Sequence, residues 1–286
     1  MRRRWQRALA GVAAAGFAVL VYEYLRLPDV RPLATINPST TAFMEMRAAE
    51  AAREGRTVRR VQRWVRYSQI SPAFKRAVLV AEDAAFWDHE GVDYEELQKS
   101  IRVNWEQGRA VRGASTITQQ LAKNLYLSPS RNPLRKLREL VIARRLEAAL
   151  PKARIFEIYL NVIEWGDGVW GAEAAARTYF GLPASALDAE QAALLAGAIV
   201  NPRVHNPARP TSRLRRRQQI ILSRMREVTP PPSVPRAAIA PEGAPVEALL
   251  LPPEIVANPV PDAPHALSDD EAIPTEPPPP MTEQIP

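Results

Sequence analysis

SPAFKRAVLVAEDAAFWDHEG, residues 71–91, opens with a helix start and ends in charge. Ser71 offers a hydroxyl to the free N–H groups of a first turn, and Pro72 has the fixed φ that suits the first helical position. Phe74, Val78 and Ala81 continue one apolar face, so the helix delivers Glu82 and Asp83 at its C-terminal end. Two carboxylates there oppose the helix dipole, at on the order of 0.3–1 kcal/mol each. Taken alone, EDAAF is a solvated acidic turn closed by His89 and Gly91. Beside GASTITQQLAKN at 113–124 and RKLRE at 135–139, it joins a series of polar side chains set at fixed places between apolar stretches. That is the pattern of an active site rather than of a helical core.

Working outward, Tyr94, Leu97, Ile101 and Trp105 recur at helical spacing, as do Ile117, Leu121 and Leu125. Pro133 opens a helix running to Leu150 with Leu134, Leu137 and Val141 expected to face inward. Ala-rich patterns at 171–180 and 188–199 and a basic run from Thr211 to Val228 add further helices. No strand alternation stands out, so the body is expected to be all-α. In the middle motif Gly113 permits a tight turn and either Ser115 or Thr116 caps the helix that follows. Gln119 and Lys123, four residues apart, share a helical face, with Gln120 beside them.

The three motifs resemble the first three of glycosyltransferase family 51, the peptidoglycan glycosyltransferases. KARIFEIYLN at 152–161 and WGDGVWGAEAAARTYFG at 165–181 extend the likeness, the latter being especially similar to the monofunctional biosynthetic transglycosylases. The resemblance covers about residues 70–210 and implies a lysozyme-like helical domain with a membrane-associated subdomain. It implies that the substrate is lipid II, a disaccharide-pentapeptide joined by diphosphate to a polyprenol. An acceptor 4-hydroxyl would attack the donor's anomeric carbon with inversion, releasing polyprenyl diphosphate and extending a β-1,4 glycan chain.

By the same resemblance Glu82 is the general base, a task that suits a carboxylate able to take the hydroxyl proton as the new bond forms. Lys123, Arg131, Arg135 and Lys136 match basic positions near the donor diphosphate, where positive charge stabilises the leaving group. Arg138 stands where the family commonly has Lys, which keeps the charge and changes the geometry. Asp83, Ser115, Gln119 and Gln120 are placed in the substrate cleft. Glu139 matches the second family carboxylate. Its bland reading is an i, i+4 ion pair with Arg135, worth a few tenths of a kcal/mol. The resemblance has it either orient the basic cluster or help hold a divalent cation, Mg2+ or Mn2+, at the diphosphate. Cations crowding Glu82 would lower its pKa and weaken it as a base, so base and cations are expected to be separated. Blocks four and five read as structural: Ile155, Ile158 and Tyr159 as core, Phe156 where the family often has Leu, Asn161 holding the chain, and Gly166, Gly168 and Gly171 punctuating a turn.

The chain has 286 residues, 46% of them hydrophobic, enough for a sizeable core, and no cysteine, which excludes disulfides and thiolate metal sites. Its net charge of +7 divides unevenly. Residues 229–286 carry about −8, leaving the first 228 near +15, a balance that favours polyanionic partners. Arg2, Arg3, Arg4 and Arg7 precede an uncharged run from Ala8 to Tyr22 bordered by Trp5, Tyr22 and Tyr24. This reads as a retained single-pass anchor with the arginines in the cytoplasm and the catalytic body on the periplasmic side of the inner membrane. A cleavable signal peptide is the alternative. The expected organisation is therefore an anchor at 1–28, a juxtamembrane connector at 29–67, a catalytic domain at 68–228 and a Pro-rich acidic disordered tail at 229–286. Trp105 and Tyr126 are expected to face lipid.

Expected partners are lipid II, the growing glycan chain, the bilayer and other cell-wall synthesis proteins, with no nucleic acid. A lysozyme-like lytic enzyme also uses a glutamate, but it protonates a sugar oxygen and has no use for a diphosphate-sized cation cluster. A membrane-anchored scaffold would need no paired carboxylates. No Ser-x-x-Lys tetrad occurs, and the tail is too short for a transpeptidase domain, so the protein is expected to be monofunctional.

Overall fold

Helix caps written in the sequence set the element boundaries. The computed structural model describes residues 2–109, 113–127 and 133–226, and the proline-rich tail expected at 229–286 lies outside them. The helices are α1 (Arg2–Leu25), α2 (Ala42–Arg53), α3 (Pro72–Glu82), α4 (Tyr94–Glu106), α5 (Ile117–Tyr126), α6 (Pro133–Ala149), α7 (Lys152–Val162), α8 (Ala172–Phe180), α9 (Ala189–Ala198) and α10 (Ser212–Met225). Thr41, Ser71, Asp93, Thr116, Asp188 and Thr211 each accept a backbone N–H from the first turn they precede. Of the two candidates for the cap of α5, Thr116 takes the position.

The body is mostly helical, as expected, with one small sheet that the sequence did not announce. Strand β1 (Val61–Gln62) runs parallel to β3 (Val169–Trp170), and β2 (Glu164–Gly166) pairs antiparallel with β3. Strands of two or three residues are too short to display a period of two.

Helix α7 is the central post. Every residue from Ala153 to Val162 is buried, including Arg154, Glu157 and Asn161. Those three polar groups are satisfied by the segment before α3. Arg154 donates to the carbonyls of Leu33 and Ile36 and pairs with Glu157 at 2.5 Å. Glu157 accepts the Tyr67 N–H at 2.7 Å, and Asn161 exchanges hydrogen bonds with the Val65 backbone. Val30, Leu33, Met44 and Tyr67 therefore lie in the main core, so the segment expected as a juxtamembrane connector, 29–67, packs onto the body.

Two expectations need correction. On α6 the inward face carries Glu139, Ile142, Ala143, Leu146 and Leu150, while Leu134 and Leu137 are 46% and 48% exposed. The helix turns its polar motif inward, and that rotation leaves the two leucines outside. At the N-terminus α1 forms a single helix, but among the described residues no helix is long and apolar enough to cross a membrane. Its uncharged run from Ala8 to Tyr22 rises about 22 Å at ~1.5 Å per residue, short of an ~30 Å hydrocarbon core.

Between β3 and α8 the chain turns at Gly171, whose φ is +82° and where an added Cβ would lie 2.6 Å from the Asn161 carbonyl oxygen. Gly171→Ala is expected to destabilise the fold by about 1–3 kcal/mol or more, read as a lower midpoint in urea with unchanged slope.

Candidate active site

The two motif carboxylates part company at the end of α3. Asp83 turns inward: its Oδ2 accepts the Ile117 N–H at 2.9 Å, and both its oxygens lie 3.1 Å from His89 Nε2. His89 Nδ1 accepts the Gly91 N–H, which leaves the ring proton on Nε2 to be donated to Asp83. The Gly91 carbonyl in turn accepts from Thr116 Oγ1 at 2.8 Å and Gln119 Nε2 at 3.3 Å. Asp83, expected to bind substrate, lines the cleft while its oxygens fasten residues 84–93 to the start of α5.

Glu82 turns the other way, toward a cleft of about 1210 Å3 whose walls include Asp83, Ser115, Thr116, Arg217 and Arg224. Its side chain keeps 13% of its surface exposed. Oε2 accepts a hydrogen bond from Gln120 Nε2 at 3.0 Å, and Gln120 Oε1 accepts from the Tyr159 hydroxyl at 2.9 Å, which fixes the amide's orientation. Oε1 faces Arg217 at 3.7 Å. Burial raises the Glu82 pKa; the Gln120 hydrogen bond and the charges of Arg217 and Lys123 oppose that shift, and Asp83 adds to it. Desolvation of the carboxylate outweighs the nearby cations.

A second group of cations gathers where α5 meets α6. Glu139 is 3% exposed and is held by both neighbours: Arg135 reaches Oε2 at 2.9 Å, and Lys136 forms an ion pair with Oε1. Lys136 also donates to Gln119 Oε1 at 3.1 Å and Ser115 Oγ at 3.4 Å. Burial lowers the Lys123 pKa, with the charges of Arg135 and Lys136 acting in the same sense and those of Glu139 and Glu82 against it. Its ammonium lies 5.7 Å from the centre of the Phe43 ring. Arg138 is half-buried on α6. Arg131 lies outside the described residues.

A divalent cation finds no protein cage in this arrangement. Both Glu139 oxygens are engaged by cations, and among the described residues no group of three His, Asp or Glu side chains could hold a metal. No chemical step below is routed through a metal.

Comparison with known proteins agrees with these motifs. The transglycosylase profile matches residues 25–226. The chain belongs to the transglycosylase family. It is 48% identical over 221 residues to a biosynthetic peptidoglycan transglycosylase of Laribacter hongkongensis, covering 77% of this chain and 97% of that protein. A Methylobacillus flagellatus protein of the same description is 47% identical over 216 residues, 76% of this chain and 94% of its own. A Dechloromonas aromatica counterpart is 50% identical over 190 residues, 66% and 82% of the two chains.

Several groups of this transglycosylase domain escaped the sequence reading. Tyr159 looked like plain core, but its hydroxyl orients Gln120. His89 looked like the end of a turn and is the partner of Asp83. Arg217 was hidden in a basic run. Leu214, Gln218, Ile221 and Met225 mark the buried face of α10, and Arg217 flanks it by three and four residues, a signal available in retrospect. Tyr126 is half-buried, its hydroxyl pKa pushed up to about 12 by burial, whereas Trp105 is 87% exposed.

A carboxyl whose folded pKa is raised is fully tolerated below the unfolded value, and its ionisation costs stability as pH rises from there through the folded pKa. Glu82→Gln is expected to melt at a higher temperature than the wild type at pH 7, the gap closing as pH falls below about 4, measured by calorimetry across pH.

Proposed function

We infer that this protein is a peptidoglycan glycosyltransferase that polymerises lipid II into β-1,4 glycan strands, with inversion and release of polyprenyl diphosphate. The observation that carries the reading is a buried, cleft-facing Glu82 together with a cluster in which Arg135 and Lys136 clasp Glu139, Lys123 acting on both carboxylates. A carboxylate with a raised pKa is a stronger base than a solvated one; Gln120 binds one oxygen and Arg217 faces the other at 3.7 Å. The acceptor hydroxyl gives its proton to Glu82 as its oxygen bonds to the donor's anomeric carbon. The bond to the diphosphate oxygen breaks, and the negative charge developing there is met by preorganised Lys and Arg side chains. A raised glutamate alone would also suit the acid of a lytic enzyme. The cation cluster favours synthesis, since a sugar hydroxyl leaving group brings no charge for it to stabilise.

The cluster owes its shape to Glu139. Without that carboxylate Arg135 and Lys136 would repel each other, so Glu139 acts as the counter-charge that holds them together. Ser115 touches both parts of the site, lining the cleft while accepting from Lys136.

The protein further reads as membrane-docked. Tyr94, Leu97, Ile101 and Trp105 form an exposed apolar stripe along α4, and Trp5, Leu9, Val12 and Phe17 are exposed on α1. Apolar surface of this extent, joined to the N-terminal arginines, suits a bilayer bearing anionic lipid. We place the body on the periplasmic face of the inner membrane, where lipid II would be presented. Other cell-wall synthesis proteins are its expected companions.

Two outcomes test this. Purified protein in detergent should convert labelled lipid II into glycan chains, and Glu82→Gln should lower the rate by about 10²-fold or more; no polymer from a folded wild type would end the reading. Ile101→Ser with Trp105→Ser should weaken binding to vesicles containing phosphatidylglycerol, and unchanged co-sedimentation would remove α4 from the membrane surface.

A further inference from the structure

The cleft contains a cation that none of the three motifs supplies. Arg217 comes from α10, far along the chain, and its guanidinium stands 3.7 Å from Glu82 Oε1. That distance is beyond a hydrogen bond, so the pairing acts through charge and leaves the oxygen's lone pairs open toward the cleft. The second oxygen, Oε2, is already bound by Gln120. Glu82 is thus held from both sides, by an amide on one oxygen and a charge facing the other.

Arg217 is placed there by packing. Leu214, Ile221 and Met225 are 1%, 3% and 6% exposed, and Gln218 donates to the Glu190 carbonyl at 2.9 Å, so α10 is pinned on both sides of the arginine. The arginine stem lies against α9, where a Cβ added at Gly197 would meet its Cγ at 3.6 Å. Its Nε is buried and has no hydrogen-bond partner. The stem of such an arginine needs no ion pair to stay packed.

We propose that Arg217 is a positioning residue for the base, keeping Glu82 in its carboxylate form and aimed at the acceptor hydroxyl. The proposal rests on reading Glu82 as the base. The groups facing Glu82 are Asp83 beyond the end of α3, Gln120 and Lys123 on α5, the buried Tyr159 hydroxyl on α7 and Arg217 on α10. Burial and Asp83 favour the protonated form; Gln120, Arg217 and Lys123 oppose them. Lys123 has its own burial to contend with and is shared with Glu139. Arg217 is the cation that the ion-pair geometry places beside Glu82.

The test uses the full chain in detergent with Arg217→Gln, Arg217→Met and Arg217→Lys. Titration of the Glu82 side-chain carboxyl is followed by carbon-13 NMR without substrate, with Glu82→Gln assigning the signal, and the pH dependence of kcat/KM for lipid II polymerisation is measured in parallel. Removing the charge should move the Glu82 titration and the acid limb of the profile upward together by about half to one pH unit, with Arg217→Lys restoring most of the shift. Arg217→Met keeps the packed stem and serves if the Gln variant fails to fold. A uniform loss of rate at every pH with an unmoved Glu82 titration would overturn the proposal and leave Arg217 a structural or substrate contact. The NMR arm needs no turnover, so an inactive wild type would end the glycosyltransferase reading while still deciding whether Arg217 governs Glu82.

Discussion

Glu82 has to be buried at the end of a helix where the backbone dipole disfavours negative charge, and much of the site answers that constraint. A desolvated carboxylate is tolerated only when its oxygens are met by donors or charges. Gln120 and Arg217 meet them, and each is fixed in turn, Gln120 by the Tyr159 hydroxyl and Arg217 by the packed face of α10. Four elements, α3, α5, α7 and α10, thereby converge on one side chain. The opposition between burial and these partners leaves the carboxyl raised but still served by charge, as a group that must both ionise and accept a proton requires.

Asp83 performs the complementary task. By accepting the Ile117 N–H and pairing with His89, it joins the first motif to the second and gives α5 its orientation. Gly91 completes this link with a φ of +84° and a carbonyl that takes two donors from the start of α5. The adjacent carboxylates thus have different partners because the chain leaves α3 between them: Asp83 takes backbone and imidazole, Glu82 takes Gln120 and faces Arg217. Charge is also sorted across the site, with the base on the cleft and the Arg135, Lys136 and Glu139 cluster beside it. Lys123 is coupled to both.

Central to the frame is the polar column of α7. Arg154, Glu157 and Asn161 would be unsustainable as a buried set without partners, and they find them in backbone groups of residues 33–67. This is why the segment before α3, which carries little helical pattern beyond α2, nevertheless belongs to the core. It also explains the small sheet, since β1 follows from that segment and lies against β3.

The sequence by itself determined most of the helices, the polar motifs and the resemblance that names the family, because these depend on local spacing and composition. Ser71 was readable as a cap for that reason, and the cap of α5 was narrowed to Ser115 or Thr116. Only the tertiary structure decided which face of α6 points inward, which partners Glu82 and Asp83 each take, and that Tyr159 and Arg217 belong to the site. Each of those depends on contacts between residues tens of positions apart, and on a balance of burial against charge that exists only once the helices have packed around the carboxylate.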